Sequence, residues 1–132
     1  MDLVEKELSY TIRGAVYEVS HQLGNGFLEA VYQEAMEIEL RLRGLNIDPQ
    51  KKLKIHYKGV ELQCEYIPDI IVEDKVIIEL KAVSAIDDSH RSQIINYLKA
   101  TGKPLGLLVN FGTKTAEVER FVNQKQYDHG LR

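Results

Sequence analysis

The chain has 132 residues, 44% of them apolar and 28% charged, which is enough for one domain that buries about 70% of its unfolded surface. That balance excludes a disordered chain, and the single cysteine, Cys64, excludes an intrachain disulfide. A net charge of −3 argues against a strongly basic nucleic-acid binder, although a site built from carboxylates is itself acidic until a cation enters.

The opening "MDLVEKELSY" lacks the basic start and apolar run of a secretory signal, and no apolar run approaches the roughly 18 residues needed to span a bilayer. A cytoplasmic protein without membrane association is therefore expected.

Leu8, Ile12, Ala15, Val16, Val19 and Leu23 recur at spacings of three and four, which predicts an amphipathic helix over about 4–22. "LGNGF" supplies two glycines to end it. A second helix is expected from Phe27 to about Arg43, where Val31, Tyr32, Ala35, Met36 and Leu40 recur before Gly44. No strand is clear before the end of this helix.

"KKLKIHYKGVELQCEY" alternates, with Leu53, Ile55 and Tyr57 on one side and Lys52, Lys54, His56 and Lys58 on the other, so a hairpin around Gly59 is expected. The lysine stripe reads most simply as a solvated face of an outer strand, and functionally as a patch that tracks phosphates.

Residues 67–72 and 76–83 form another strand pair around "EDK". "DDSHRSQIINYLKATGK" reads as a third helix, capped at its start and stopped by Gly102. "PLGLLVNFG" and "AEVERFV" are further strands, so the order predicts an α/β domain with a mixed sheet in two or three layers.

Asp69, Glu79 and Lys81 stand among Ile and Val residues, where an unpaired charge is costly. Glu79 and Lys81, two apart on a strand, share a face. Asp69 joins them only if Val72 sits opposite Val76, leaving Glu73, Asp74 and Lys75 as the loop. A two-residue turn at Glu73 and Asp74 would turn Asp69 away.

In the first register two carboxylates and an ammonium converge, a set that favours a hard divalent cation such as Mg²⁺ or Mn²⁺. The Leu80 carbonyl is a further oxygen ligand, and Lys81 is placed to orient water. The simplest alternative is a surface ion pair between Glu79 and Lys81, with Asp69 capping a strand end.

Pro68-Asp69, nine residues, then Glu79-Leu80-Lys81 resembles the PD-(D/E)xK motif of restriction-endonuclease-like nucleases. Gly26, Glu29 and Tyr32 resemble the signature of the GxxExxY family within that superfamily, and "ELRLRGL", "EYIPDIIVEDKVIIELKAV", "QIINYLKATG" and "GLLVNFG" are also similar to it. The resemblance runs from about Leu8 to Val122.

It implies an α/β restriction-endonuclease-like core, a mixed central sheet flanked by helices, over residues 1–132, and a Mg²⁺- or Mn²⁺-dependent nuclease acting on nucleic acid, with DNA the expected substrate. Asp69, Glu79, the Leu80 carbonyl and Glu29 are the expected metal ligands. Asp69, Glu79, Lys81 and Glu29 form the catalytic set.

Gln93 and Tyr97, four apart on the third helix, resemble a QxxxY element and are expected to contact substrate, with Lys52 and Lys54 as further contacts. Glu29 has a plainer reading as well: with Gly26 as the N-cap it is the third helical residue, where a carboxylate is favoured in any protein. A non-catalytic binding module that kept the fold is the competing function. A homodimer is one way for so small a domain to grip a duplex.

Overall fold

The computed structural model describes residues 4–123. Helix α1 (Lys6–Leu23) buries Ile12, Ala15, Val16 and Val19, as its spacing predicts. Helix α2 (Glu29–Leu42) buries Tyr32, Met36 and Leu40.

Strand β1 (Ile47–Pro49) follows, and nothing in the sequence announced it. It has three residues, one of them proline, and proline in a sheet is confined to edges, where its missing N–H is not needed. Strands β2 (Leu53–Tyr57) and β3 (Val60–Tyr66) form the expected hairpin, but as a separate two-stranded sheet.

Strands β4 (Ile70–Val72) and β5 (Val76–Lys81) come next, then helix α3 (Asp88–Thr101), β6 (Leu105–Asn110) and β7 (Glu117–Val122). The main sheet runs β1-β4-β5-β6-β7. Only β5 and β6 are parallel, because α3 carries the chain between them; the other neighbours are antiparallel. This is the mixed sheet with flanking helices that the sequence predicts.

Two apolar layers hold it. On one face α1 and α2 pack on Ile70, Val72, Val76, Ile78, Leu80, Leu105, Leu107 and Val109. On the other, Ile77 and Leu98 pack with Tyr66, Leu53 and Ile55 of the hairpin.

Helix α3 approaches β6 closely over Gly106, where a Cβ would stand 2.9 Å from the Ile94 side chain. Asp87 caps α3 by accepting from the His90 N–H at 3.1 Å, while His90 Nδ1 accepts from the Asp87 N–H at 3.2 Å. His90 is thus turned into the cap. Among the described residues no helix is long and apolar enough to cross a membrane.

Candidate active site

The β4–β5 loop decides whether the charges meet. Val72 pairs with Val76, Ile71 with Ile77 and Ile70 with Ile78, which is the register that sets Asp69 opposite Glu79. The loop contains no glycine, yet Glu73 and Asp74 both adopt left-handed backbone, at φ 53° and 57°. Such residues are strained by about 1 kcal/mol each.

Their side chains explain how the loop holds. The Glu73 carboxylate accepts from Asn46 Nδ2 at 3.0 and 3.2 Å, and Asp74 receives Lys103 Nζ at 2.7 Å.

Continuing the register would set Pro68 opposite Leu80. Proline has no N–H to donate, so the ladder stops here. The Leu80 N–H donates to Asp69 Oδ2 instead, at 2.6 Å. The N–H and C=O of one strand residue point to the same side, so the Leu80 carbonyl faces the same edge, where proline offers it no donor. The Asp69 carbonyl is fixed in turn by Gln33 Nε2 at 2.9 Å and the Gln50 N–H at 3.1 Å.

Glu79 lies under the hairpin. The Tyr66 hydroxyl donates to its carboxylate, and Tyr66 stacks on Tyr97 with ring centroids 3.6 Å apart and planes 3° from parallel. Burial and then the Asp69 charge push the Glu79 carboxyl up to about 7. Burial likewise raises Asp69, with the Leu80 N–H and the Lys81 ammonium opposing it. Desolvation first, then the Glu79 charge, drives the Tyr66 phenol well above its usual range.

Among the described residues Asp69, Glu79 and Lys81 take part in no ion pair, so the simple Glu79–Lys81 bridge is not formed. Two partly buried carboxylates with raised proton affinity, beside a carbonyl with no strand donor, suit a hard cation. Among the described residues no three His, Cys, Asp or Glu side chains group closely enough to hold a metal by themselves. The oxygens that could hold a cation here are the two carboxylates and the carbonyl, and Mg²⁺ ordinarily completes such a set with water.

Glu29 is the first residue of α2, with Leu28 as the N-cap, so the third helical position expected from a Gly26 cap is not the one it occupies. Its carboxylate raises Asp69 by charge and lines a cavity of about 440 Å³ with Gln33, Gln50, Asp69 and Leu80. Tyr32 delivers it there: its hydroxyl donates to the Gly24 carbonyl at 2.6 Å, and its ring stacks on Phe111 at 4.5 Å.

Beyond Lys81, buried Asn110 clasps Val83 with two hydrogen bonds of 3.0 Å. Gly112 lets the chains approach there, since a Cβ would stand 2.0 Å from the Val83 carbonyl oxygen.

The other expected contacts lie farther out. Tyr97 reaches the centre only through Tyr66, and exposed Gln93 lines a shallow polar groove with Ser89, Ser92, Asn96 and Tyr97. Lys54 is engaged by Glu65 across the hairpin at 2.9 Å, a bond that raises its proton affinity; Lys52 is exposed. Sequence reasoning missed Tyr66, Gln33 and Asn110. The one signal for Tyr66 was an aromatic ending an alternating strand three residues before Asp69.

A crystal structure of SSO0001 has the same fold, with a TM-score of 0.58 at 18% identity over 89% of this chain and 59% of that one. This chain therefore spans little more than half of that protein's length. An alkaline exonuclease (LHK-Exo) from Laribacter hongkongensis is a looser match, with a TM-score of 0.44 at 13% identity over 99% of this chain and 76% of that one. No curated protein matches. The family model of the PD-(D/E)XK nuclease superfamily matches residues 6–121, almost the whole described chain, and the protein belongs to that superfamily.

Proposed function

We propose that the protein is a divalent-metal-dependent nuclease that hydrolyses phosphodiester bonds, with DNA its substrate, and that it falls in the GxxExxY branch carried by Gly26, Glu29 and Tyr32. The observation behind this reading is the convergence of Asp69 and Glu79, both raised by burial, at the point where Pro68 ends the β4–β5 ladder. Membership of a nuclease superfamily supports it.

Asp69, Glu79 and the Leu80 carbonyl would hold Mg²⁺ or Mn²⁺, which supplies a lowered pKa for water and stabilises charge developing on the phosphate. The rest is work for this chain's own groups. The Leu80 N–H and Gln33 fix Asp69, and Tyr66 fixes the Glu79 carboxylate. Lys81 orients the attacking water and offsets negative charge on phosphate, and Glu29 orients water from the α2 side. Gln93 and Tyr97 guide the substrate strand along the α3 groove.

The net charge of −3 favours the competing reading, a binding module that keeps the fold without turnover. Melting temperature with and without Mn²⁺, alongside cleavage of single-stranded and duplex DNA, separates the two. Wild type should gain stability with Mn²⁺ and cleave. Glu79→Gln should lose both while folding as well or better, because one of two repelling carboxylates is gone. Lys81→Met should keep the Mn²⁺ shift and lose turnover. A wild type with no Mn²⁺ shift and no cleavage would leave the binding module standing.

A further inference from the structure

Strand β7 forms the edge of the main sheet opposite to β1, and it carries a charge in an unexpected place. Along "EVERFV", Glu119 and Phe121 face α3: Glu119 receives Arg91 at 2.8 and 2.9 Å, and Phe121 packs with Tyr66 and Ile77. Val118 and Val122 face the opposite way, into the layer of α1 and α2. Arg120 lies between them, so its guanidinium takes a core-facing position.

One of its N–H groups donates to the Val4 carbonyl, but Nη1 is shielded from solvent and has no partner among the described residues. Arg13 stands near enough for its charge to oppose that of Arg120. Among the described residues neither arginine has an ion-pair partner, and the nearest carboxylate on β7, Glu119, is engaged by Arg91 on the other face.

Both arginines line a cavity of about 570 Å³ between α1 and β7, together with Lys6, Glu7 and Tyr10. Three cations against one carboxylate leave an excess of two positive charges in that wall. A shielded guanidinium N–H without an acceptor is costly, and two repelling guanidiniums raise the cost.

We propose that this cavity binds a phosphomonoester carried on an aromatic body, the phosphate between Arg13 and Arg120 and the body against Tyr10. Charge selects the head group: a phosphomonoester carries about −1.5 to −2 at neutral pH, matching the excess, whereas a carboxylate carries one charge. Its oxygens accept from planar guanidinium forks, and the shielded Nη1 gains the acceptor it lacks. The volume falls within the range of about 300–1,000 Å³ typical of small-molecule sites. Tyr10 is 80% exposed and offers an aromatic wall at the mouth.

Titration calorimetry of the full chain in metal-free buffer, with phenyl phosphate, inorganic phosphate and benzoate as probes, tests this. Phenyl phosphate should bind one to one, and benzoate and inorganic phosphate should each bind more weakly. Arg120→Met and Arg13→Gln should each weaken phenyl phosphate about ten-fold or more, the loss of hydrogen bonds to a charged group.

Glu79→Gln should leave the affinity unchanged, because the site is separate from the nuclease centre. Arg120→Met should fold at least as well as wild type, since it replaces an unpaired core-facing charge with an apolar side chain. The absence of saturable phenyl phosphate binding would overturn the proposal. So would unchanged affinity in both arginine variants, equal affinity for benzoate or inorganic phosphate, or loss of binding in Glu79→Gln.

Discussion

On one face of β5, Val76, Ile78 and Leu80 are at most 2% exposed and packed against α1 and α2. On the other, Ile77 is followed by Glu79 and Lys81 beneath the β2–β3 hairpin and α3. The same six residues serve both. The apolar face is stabilised by area and fit, so its energy is nearly independent of pH and metal. On the charged face the fold disfavours the ionised forms of Glu79 and of Asp69 opposite it, and these two are stabilised when protons or a cation neutralise them. One strand thus divides stability from chemistry between its two sides.

Breaking the apolar side should have the largest effect. Ile78→Ala leaves a cavity in the layer beneath α1 and α2 and should lower unfolding free energy by about 2–5 kcal/mol. Urea denaturation of the metal-free protein measures it. The loss should be the same at pH 5 and pH 8, since no titrating group is touched; a loss that changes with pH would mean the two faces are coupled.

The charged side should show itself through pH. Folding raises the Glu79 carboxyl from 4.5 to about 7, so between these values the folded protein keeps a proton that the unfolded chain has released. This contribution is fully present below pH 4.5 and is lost as pH rises through about 7, amounting to about 3 kcal/mol. Asp69, raised in the same direction, adds to the slope.

Metal-free wild type should therefore lose stability from pH 5 to pH 8, and Glu79→Gln should lose much less. Saturating Mn²⁺ should restore wild type at pH 8 but not the variant. Parallel pH profiles for the two proteins would remove Glu79 as the source.

How far this division could be read from sequence differs from residue to residue. The shared face of Glu79 and Lys81 was legible because they stand two apart on a strand, the first two helices because their apolar spacings are long, and the third because a cap and Gly102 bound it. The register that sets Asp69 opposite Glu79 was legible only as a condition, since a three-residue loop without glycine is unusual. What secures it, Glu73 with Asn46 and Asp74 with Lys103, joins residues 27 and 29 positions apart.

Strand β1 was too short to carry a pattern. Tyr66 was missed because its role depends on the hairpin leaving the main sheet and folding across it, which no local periodicity reports. The lysine stripe was visible, but not that Glu65 on the facing strand engages Lys54.

Tyr66→Phe should have the smallest effect and joins the two sides of the comparison. It keeps the ring stacked on Tyr97 and removes only the hydroxyl that donates to Glu79. That bond favours the ionised carboxylate and holds Glu79 lower than burial alone would. Without it Glu79 should titrate above about 7, so the ionised folded state is penalised further. The expected cost is about 1–2 kcal/mol at pH 8, the lower range for a hydrogen bond to a charged group. At pH 5, where Glu79 is protonated in the folded protein, most of that cost should vanish. Urea denaturation of metal-free wild type and variant at both pH values measures it. An equal loss at pH 5 and pH 8 would show that the hydroxyl acts through packing, and would place Tyr66 with the apolar face rather than with the charges it covers.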